Sequence, residues 1–375
     1  MRLILFLIIG QIILNGLLLW VVWRATDKES IWRKISKAWV VMELFGFVMV
    51  FCSRAIHGGS FARGGFTPFF NYFIFVIVLL LLVSIGYGGI ALFNRLLTDH
   101  KDETSMKKQR GIVLLVLITL TIILCIQGYY NTMLPNVQRY DIVLTSGTHS
   151  KRNIKIALVT DMHIGGIIQQ HQVQHLVNLL QKESPDYVFL GGDQLDYYYS
   201  YISQDSTTYT DLMQRLHPRR DRIFSILGNH EYYIDTESKL RWFQSFSTLL
   251  KDSVVALDDD LYLIGRDDAY NTNRLPLSEL TKGIPPSAIK ILLSHQPKDP
   301  EEEQINGIDL ALHGHTHRGQ FIPFSWLMHL FFDNPYGYKQ VGRTHYITSS
   351  GYGVSTSPIR IGTKSEIVII NLTIE

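Results

Sequence analysis

Apolar residues follow two regimes along the 375-residue chain. Up to about residue 132 they form long, nearly uncharged runs, and from Ile154 onward they form short runs separated by amphipathic stretches. A run of about 20 apolar residues suffices to cross a hydrocarbon core as a helix. The long runs therefore predict spans at about 3–23, 36–54, 69–93 and 111–130. The first exceeds an ordinary signal-peptide core, and Trp23-Arg24-Ala25 offers no small-x-small cleavage site, so it is read as a retained helix. The second reaches spanning length only by starting back toward Ile31. It contains Glu43, read as a snorkelling or locally paired carboxylate rather than a functional one. Tyrosines near the run ends (Tyr72, Tyr87, Tyr129, Tyr130) suit an interfacial belt.

Three regions follow: a transmembrane region at 1–132, a linker at 133–152 marked by Pro135 and a polar stretch, and a soluble domain at 153–375. The loop after the first run holds Arg24, Lys28, Arg33, Lys34 and Lys37, and the third loop holds Arg95, Lys101, Lys107, Lys108 and Arg110. The second holds only Arg54 and Arg63. Positive charge stays cytoplasmic, so both termini and the soluble domain are expected outside the cytoplasm of a multi-pass cell-membrane protein.

In the soluble half, residues 154–159, 187–190, 223–227, 254–257, 261–264, 289–293, 310–312, 346–348 and 367–374 read as strands. Val173, Leu176, Val177 and Leu180 recur at helical spacing, and 240–250 reads as a helix. This alternation predicts an α/β layered sheet. Polar clusters sit just past the strand ends, where ligand sites form in such sheets: Asp161-Met162-His163, Gly192-Asp193, Gly228-Asn229-His230-Glu231, Ser294-His295 and Gly314-His315-Thr316-His317. Asp161 and His163, and likewise His315 and His317, are two apart in segments expected to be extended, which would aim each pair to one side.

The formal net charge is +2, which gives no field for nucleic acid. The two cysteines, Cys52 and Cys125, lie in apolar runs and read as small hydrophobes, so neither a disulfide framework nor a thiolate site is expected. Asp161, His163, Asp193, Asn229, His295, His315 and His317 exceed the needs of one tetrahedral ion. They suit two ions sharing a bridging carboxylate, and their nitrogen and oxygen donors favour Mn, Fe or Zn. A pair about 3.5–4 Å apart can hold a hydroxide for in-line attack at phosphorus. His230, next to Asn229, is free to donate a proton to the leaving oxygen or to stabilise phosphate charge.

The ordered set Asp161-x-His163, Gly192-Asp193-x-x-Asp196, Gly228-Asn229-His230-Glu231, His295 and Gly314-His315-x-His317 resembles the calcineurin-like metallophosphoesterase superfamily over about residues 153–375. Gly319-Gln320, Ser350-Gly351-Tyr352-Gly353, Arg360 and Glu366-Ile367 resemble its membrane-associated bacterial YkuE-like branch. The resemblance implies a layered β-sheet sandwich flanked by helices, and the apolar runs place before it an all-α transmembrane region of about four helices. It further implies that Asp161, His163 and His317 bind one metal, that Asn229, His295 and His315 bind the other, and that Asp193 bridges them while His230 assists phosphate. That branch commonly has glycine where this chain has Arg318, read either as a substrate-phosphate contact or as solvent-facing.

Other candidates are read as structural. His313 is a supporting residue, His171 and His175 are solvated helix histidines, and Asp196 supports the loop. Asp258, Asp259 and Asp260 form a solvated turn, and Tyr197, Tyr198, Tyr199 and Tyr201 pack over the domain edge or line a groove. The function expected is a membrane-anchored phosphohydrolase acting on a phosphoester or pyrophosphate, lipid-linked substrates included, with membrane lipids as partners. The alternative is a phosphate-binding membrane sensor without hydrolysis. Self-association is left open.

Overall fold

A computed structural model of the chain describes residues 2–57, 60–97, 103–145, 151–165, 167–196, 206–233, 235–354 and 357–375. The tyrosine run at 197–201 lies outside them, as do the side chains of Cys52, Arg54 and Arg63. The chain forms two compact units, Met1–Tyr129 and Tyr130–Glu375.

The first unit is built from helices α1 (Arg2–Ala25), α2 (Ile31–His57), α3 (Ser60–Leu97) and α4 (Glu103–Met133), the last running into the second unit. Val21 and Ala25 of α1 bury against Leu79 and Val83 of α3 and Leu114 of α4. Glu43 is buried and locally paired: it accepts a hydrogen bond from Asn15 Nδ2 at 2.8 Å, while Tyr72 donates to Asn15 Oδ1 at 2.8 Å. Among the described residues, Asn71–Gly89 and Thr104–Met133 are long and apolar enough to cross a membrane, and Ile12–Ala25 is a shorter apolar helix.

The second unit carries two six-stranded mixed sheets. Its strands are β1 (Asn136–Leu144), β2 (Arg152–Val159), β3 (Tyr187–Gly191), β4 (Ile223–Ile226), β5 (Thr248–Leu249), β6 (Ser253–Asp258), β7 (Leu261–Gly265), β8 (Ile289–Leu293), β9 (Leu310–His313), β10 (Gly337–Val341), β11 (Thr344–Thr348) and β12 (Glu366–Ile374). One sheet has the order β1-β12-β2-β3-β4-β5 and the other β10-β11-β9-β8-β7-β6. Strands β2 to β5 run parallel, as do β7, β8, β9 and β11.

Period-two alternation divides each strand between two cores. Ile156, Leu158, Phe189 and Ile370 face Leu263, Ile291 and Leu312 between the sheets. Ala157, Val159, Val188, Leu190 and Ile369 face the helices α5 (Gln170–Glu183), α6 (Ser206–Gln214) and α8 (Thr236–Phe246). The short α7 (Asn229–Tyr233) follows β4. Leu292 and Ala311 bury outward against Leu277 and Leu280. The unit is thus a helix, sheet, sheet, helix sandwich, and fully burying each such side chain contributes roughly 1.5–3 kcal/mol.

Several expectations are corrected. Residues 136–144 of the expected linker form β1, which pairs in parallel with β12. Of the four residues Tyr140, Ile142, Val143 and Leu144 near its end, only Ile142 and Leu144 are buried, so this edge strand carries few of the apolar positions that mark a strand in sequence. β10 is missed for the same reason, and its exposed Lys339 and Gln340 blunt a sheet edge. The helix expected at 240–250 ends at Phe246, where Ser247 turns extended, and Thr248–Leu249 joins β4 as an edge strand. Asp260 is not a solvated turn residue: it is buried and paired with Arg152.

Candidate metal centre

Five parallel strands of the two sheets end on the cluster. Asp161 follows β2, Asp193 follows β3, Asn229 follows β4, His295 follows β8 and His315 follows β9, each two or three residues past the strand end. This is the carboxyl edge at which open α/β sheets form ligand sites. The backbone there is not extended, contrary to the expectation for the paired motifs. Asp161 (φ 53°), His163 (φ 50°), Asp193 (φ 53°), His315 (φ 69°) and His317 (φ 48°) all lie in the left-handed region. Such conformations cost about 1–3 kcal/mol each and persist only where the surroundings over-determine them.

The buried Glu231 carboxylate accepts backbone N–H groups of Asp193 (2.9 Å), Leu195 (3.1 Å) and Gly228 (2.7 Å), tying the β3 and β4 loops together. Burial and the charge of Asp193 push its carboxyl up to about 7. Asp193 Oδ1 accepts the His230 backbone N–H at 2.8 Å, and Asp161 accepts that of His315 at 3.0 Å. A Cβ at Gly228 would collide with the Asp193 carboxylate, and one at Gly314 with the Asp161 carboxylate. Glycine at these two positions lets neighbouring loops close over the acids.

Three overlapping groups of donors result, each with its ligand atoms within 4.8 Å: Asp161, His163 and His317; His163, Asp193 and His230; Asp193, His295 and His315. Nε2 of His163 and of His317 are 3.1 Å apart, and His317 Nε2 is 3.5 Å from Asp161 Oδ1. His295 Nε2 lies 3.1 Å from Asp193 Oδ2 and 4.0 Å from Asp161 Oδ1. Its Nδ1 faces the Gly191 carbonyl at 2.8 Å, which places the proton on Nδ1 and leaves Nε2 as the donor atom. Asn229 Nδ2 donates to Tyr233 Oη at 2.7 Å, while its buried Oδ1 has no hydrogen-bond partner.

The electrostatics fit a cation pair. Burial holds His163 well below its ordinary value, His315 down to about 4 and His317 down to about 3, so all three imidazoles are neutral ligands at pH 7. Burial also lowers His295, but the Asp193 and Asp161 carboxylates overcome it and hold His295 well above the usual range. Burial raises the Asp193 carboxyl, but His295 and His230 pull it well below. The site thus draws positive charge to the place where Asp161 and Asp193 approach, and its imidazole and carboxylate donors suit Mn, Zn or Fe.

The remaining candidates separate cleanly. Asp196 Oδ1 lies 3.2 Å from His230 Nδ1 and 3.9 Å from His163 Nδ1, where it can orient both rings. His313 faces the Ser294 carbonyl at 2.8 Å and Glu303 at 3.5 Å, a supporting position. His171 is exposed and His175 half-buried on α5, in none of the donor groups. Arg318 is half-buried, and its guanidinium stacks 4.2 Å from the Tyr336 ring centroid. Its backbone φ of 52° gives a physical reason for glycine at this position elsewhere. Sequence reasoning assigned no role to Arg360, which is fully buried. Its guanidinium donates to the Ser350 (2.8 Å) and Gly353 (2.9 Å) carbonyls and lies 3.3 Å from His317 Nδ1. Burial lowers it to about 10, so it keeps its charge and pins the closing loop against a metal ligand. The signal was an arginine in an otherwise apolar and small-residue context.

Carboxylates and imidazoles gathered at the carboxyl edge of a sheet sandwich, with one acid common to two donor groups, define a dimetal hydrolase of phosphoesters. A family model described as calcineurin-like phosphoesterase matches residues 154–319, and the chain belongs to that family. An uncharacterised metallophosphoesterase of Campylobacter jejuni is 30% identical over 292 residues, covering 74% of each chain. One of Helicobacter pylori is 31% identical over 254 residues, covering 66% of each chain. A Danio rerio protein named as a transmembrane protein with a metallophosphoesterase domain is 28% identical, over 79% of this chain and 71% of its own. Among solved structures, a dimetal phosphatase from Danio rerio has a TM-score of 0.36 and 12% identity, covering 53% of this chain and 88% of that one.

The donor geometry has a direct consequence for metal content. Full-length protein loaded with Mn and desalted should retain about two ions per chain by elemental analysis, two being the number that seven ligands sharing one carboxylate suit. Asp193→Ala should retain one or none, since both sites lose the shared acid. His171→Ala should match the parent.

Proposed function

We propose that the chain is a membrane-anchored, metal-dependent phosphohydrolase that cleaves a phosphoester or pyrophosphate, lipid-linked substrates included. The observation that carries this reading is the convergence of Asp161, His163 and His317 on one side, and His295 and His315 on the other, around Asp193. Asp161, His163 and His317 would hold one ion and Asn229, His295 and His315 the other, with Asp193 between them. When bound, such a pair supplies Lewis acidity toward phosphoryl oxygens and acidifies water.

The chain's own residues supply the rest. Asp196 faces His230 Nδ1 at 3.2 Å and fixes the ring, leaving Nε2 as the atom that gives a proton to the leaving oxygen. The His230 backbone N–H stays on Asp193, so ring and bridging acid move as one piece. Tyr233 lies beside the His230 ring at a centroid distance of 4.9 Å, with Tyr270 5.5 Å beyond, giving the site an aromatic wall. The closing Ser350-Gly351-Tyr352-Gly353 segment, pinned by Arg360, supports the narrower YkuE-like membrane branch.

Two apolar stretches of spanning length, together with relatives named as transmembrane proteins in Danio rerio and Bos taurus, support attachment to a membrane. Four crossings, with the phosphoesterase domain outside the cytoplasm, follow from the apolar runs and from the basic first and third loops.

Purified full-length protein with Mn should hydrolyse an aryl phosphodiester or monoester. His230→Ala should lower kcat by about 10²–10⁴, the usual contribution of a positioned proton donor, and Asp193→Ala should abolish turnover. Equal rates in all three, or none in the parent, would remove the hydrolase reading. A reporter fused after Glu375 should be active only outside the cytoplasm, and a cytoplasmic signal would reverse the orientation.

A further inference from the structure

Between the His315-x-His317 loop and β10, residues 323–332 display apolar side chains to solvent. Trp326 is 66% exposed, Leu330 76% and Phe331 74%, with Phe324 and Leu327 also exposed. They sit on a short helix, Phe324–Leu327, and the turn Met328–Leu330 that follows it. The stretch 319–332 contains no Asp, Glu, Lys or Arg. Elsewhere in this unit, among the described residues, exposed large apolar residues such as Leu275 and Ile305 stand singly and Tyr233 pairs with Tyr270, which is ordinary for a protein surface; a contiguous patch of five is not.

The segment is held in this display. Gln320 Nε2 donates to the Ser357 carbonyl at 2.7 Å, and the Ile322 backbone N–H donates to the Ile361 carbonyl at 3.1 Å. On the far side Thr316 Oγ1 donates to the Pro335 carbonyl at 2.6 Å. The segment also touches the metal centre, with the Phe332 ring centroid 6.2 Å from that of His315. The apolar face is therefore borne by a segment that reaches His315.

The chemistry favours a bilayer. Tryptophan, phenylalanine and leucine on one short element, without acids, is the composition of interfacial insertion. The flanks are mixed in charge, with Arg318 before the segment and exposed Asp333 and Lys339 after it, so the apolar side chains rather than a basic patch carry the attraction. Only Leu134 and Pro135 separate α4, which contains an apolar stretch of spanning length, from β1, so the tether is short. We propose that residues 323–332 insert into the bilayer interface and bring the metal centre to headgroup level, where its substrates are phosphoesters borne by membrane lipids. The substrate class rests on the hydrolase reading above, whereas the insertion does not.

The test uses full-length protein with Cys52→Ser and Cys125→Ser, in nanodiscs of phosphatidylcholine and phosphatidylglycerol. A polarity-sensitive fluorophore is placed at Leu330→Cys or, as control, at Ile305→Cys, which precedes β9 and so lies toward the opposite edge of the sheet from His315. Lipids spin-labelled near the top of the acyl chain should quench the probe at 330 at least two-fold and leave that at 305 unchanged. A water-like, unquenched probe at 330 would overturn the proposal. A blue-shifted but unquenched probe would also overturn it, showing the face covered by the protein's own helices or a second copy. Because quenching needs no turnover, quenching at 330 in a protein without hydrolase activity would sustain insertion and remove the hydrolase reading alone.

Discussion

Asp161 and Asp193 are carboxylates buried almost completely within reach of the same histidine; burial and the charge of Asp193 raise the Asp161 carboxyl, and the two acids can both ionise in so dry a site only when positive charge comes between them. The rest of the second unit is arranged around that demand. His295 draws a proton against its own burial, Asp193 falls well below the usual carboxylate range, and three further imidazoles stay neutral with their lone pairs available. A pair of divalent cations satisfies the same demand with more charge and more ligands, which is why donor chemistry and electrostatics point to one occupant.

Holding two carboxylates and five imidazoles from five strand ends together requires a scaffold that resists their repulsion. The two sheets supply it through three apolar cores, and the loops supply it through Glu231, which binds three backbone N–H groups, and Arg360, which binds the carbonyls of the closing loop. Left-handed backbone at five of the donors is the local cost of turning the ends of β2, β3 and β9 inward. The two glycines against the acids remove the Cβ atoms that would prevent closure.

Much of this was legible in the sequence because its signals are local. Ile156-Ala157-Leu158-Val159 announces a strand buried on both faces, and an acid or imidazole two residues past such a strand announces a site. Where the reading failed, the cause was tertiary. β1 and β10 are edge strands whose exposed positions dilute the apolar pattern, and Asp260 is buried only because Arg152 arrives from another strand. The left-handed turns at Asp161 and His163 are imposed by neighbouring loops, so spacing alone misjudged their backbone although both residues do enter the donor groups. Arg318 stacks on Tyr336, a contact that no motif in the sequence announces.

The proposed centre requires two cations sharing Asp193. Electron paramagnetic resonance of the full-length protein loaded with Mn reads that sharing directly, since ions about 3.5–4 Å apart through a common carboxylate couple magnetically. The predicted spectrum is the multiline pattern of an exchange-coupled pair, replaced in Asp193→Ala by isolated ions or none. A six-line spectrum of magnetically isolated Mn in the parent protein would contradict the shared centre.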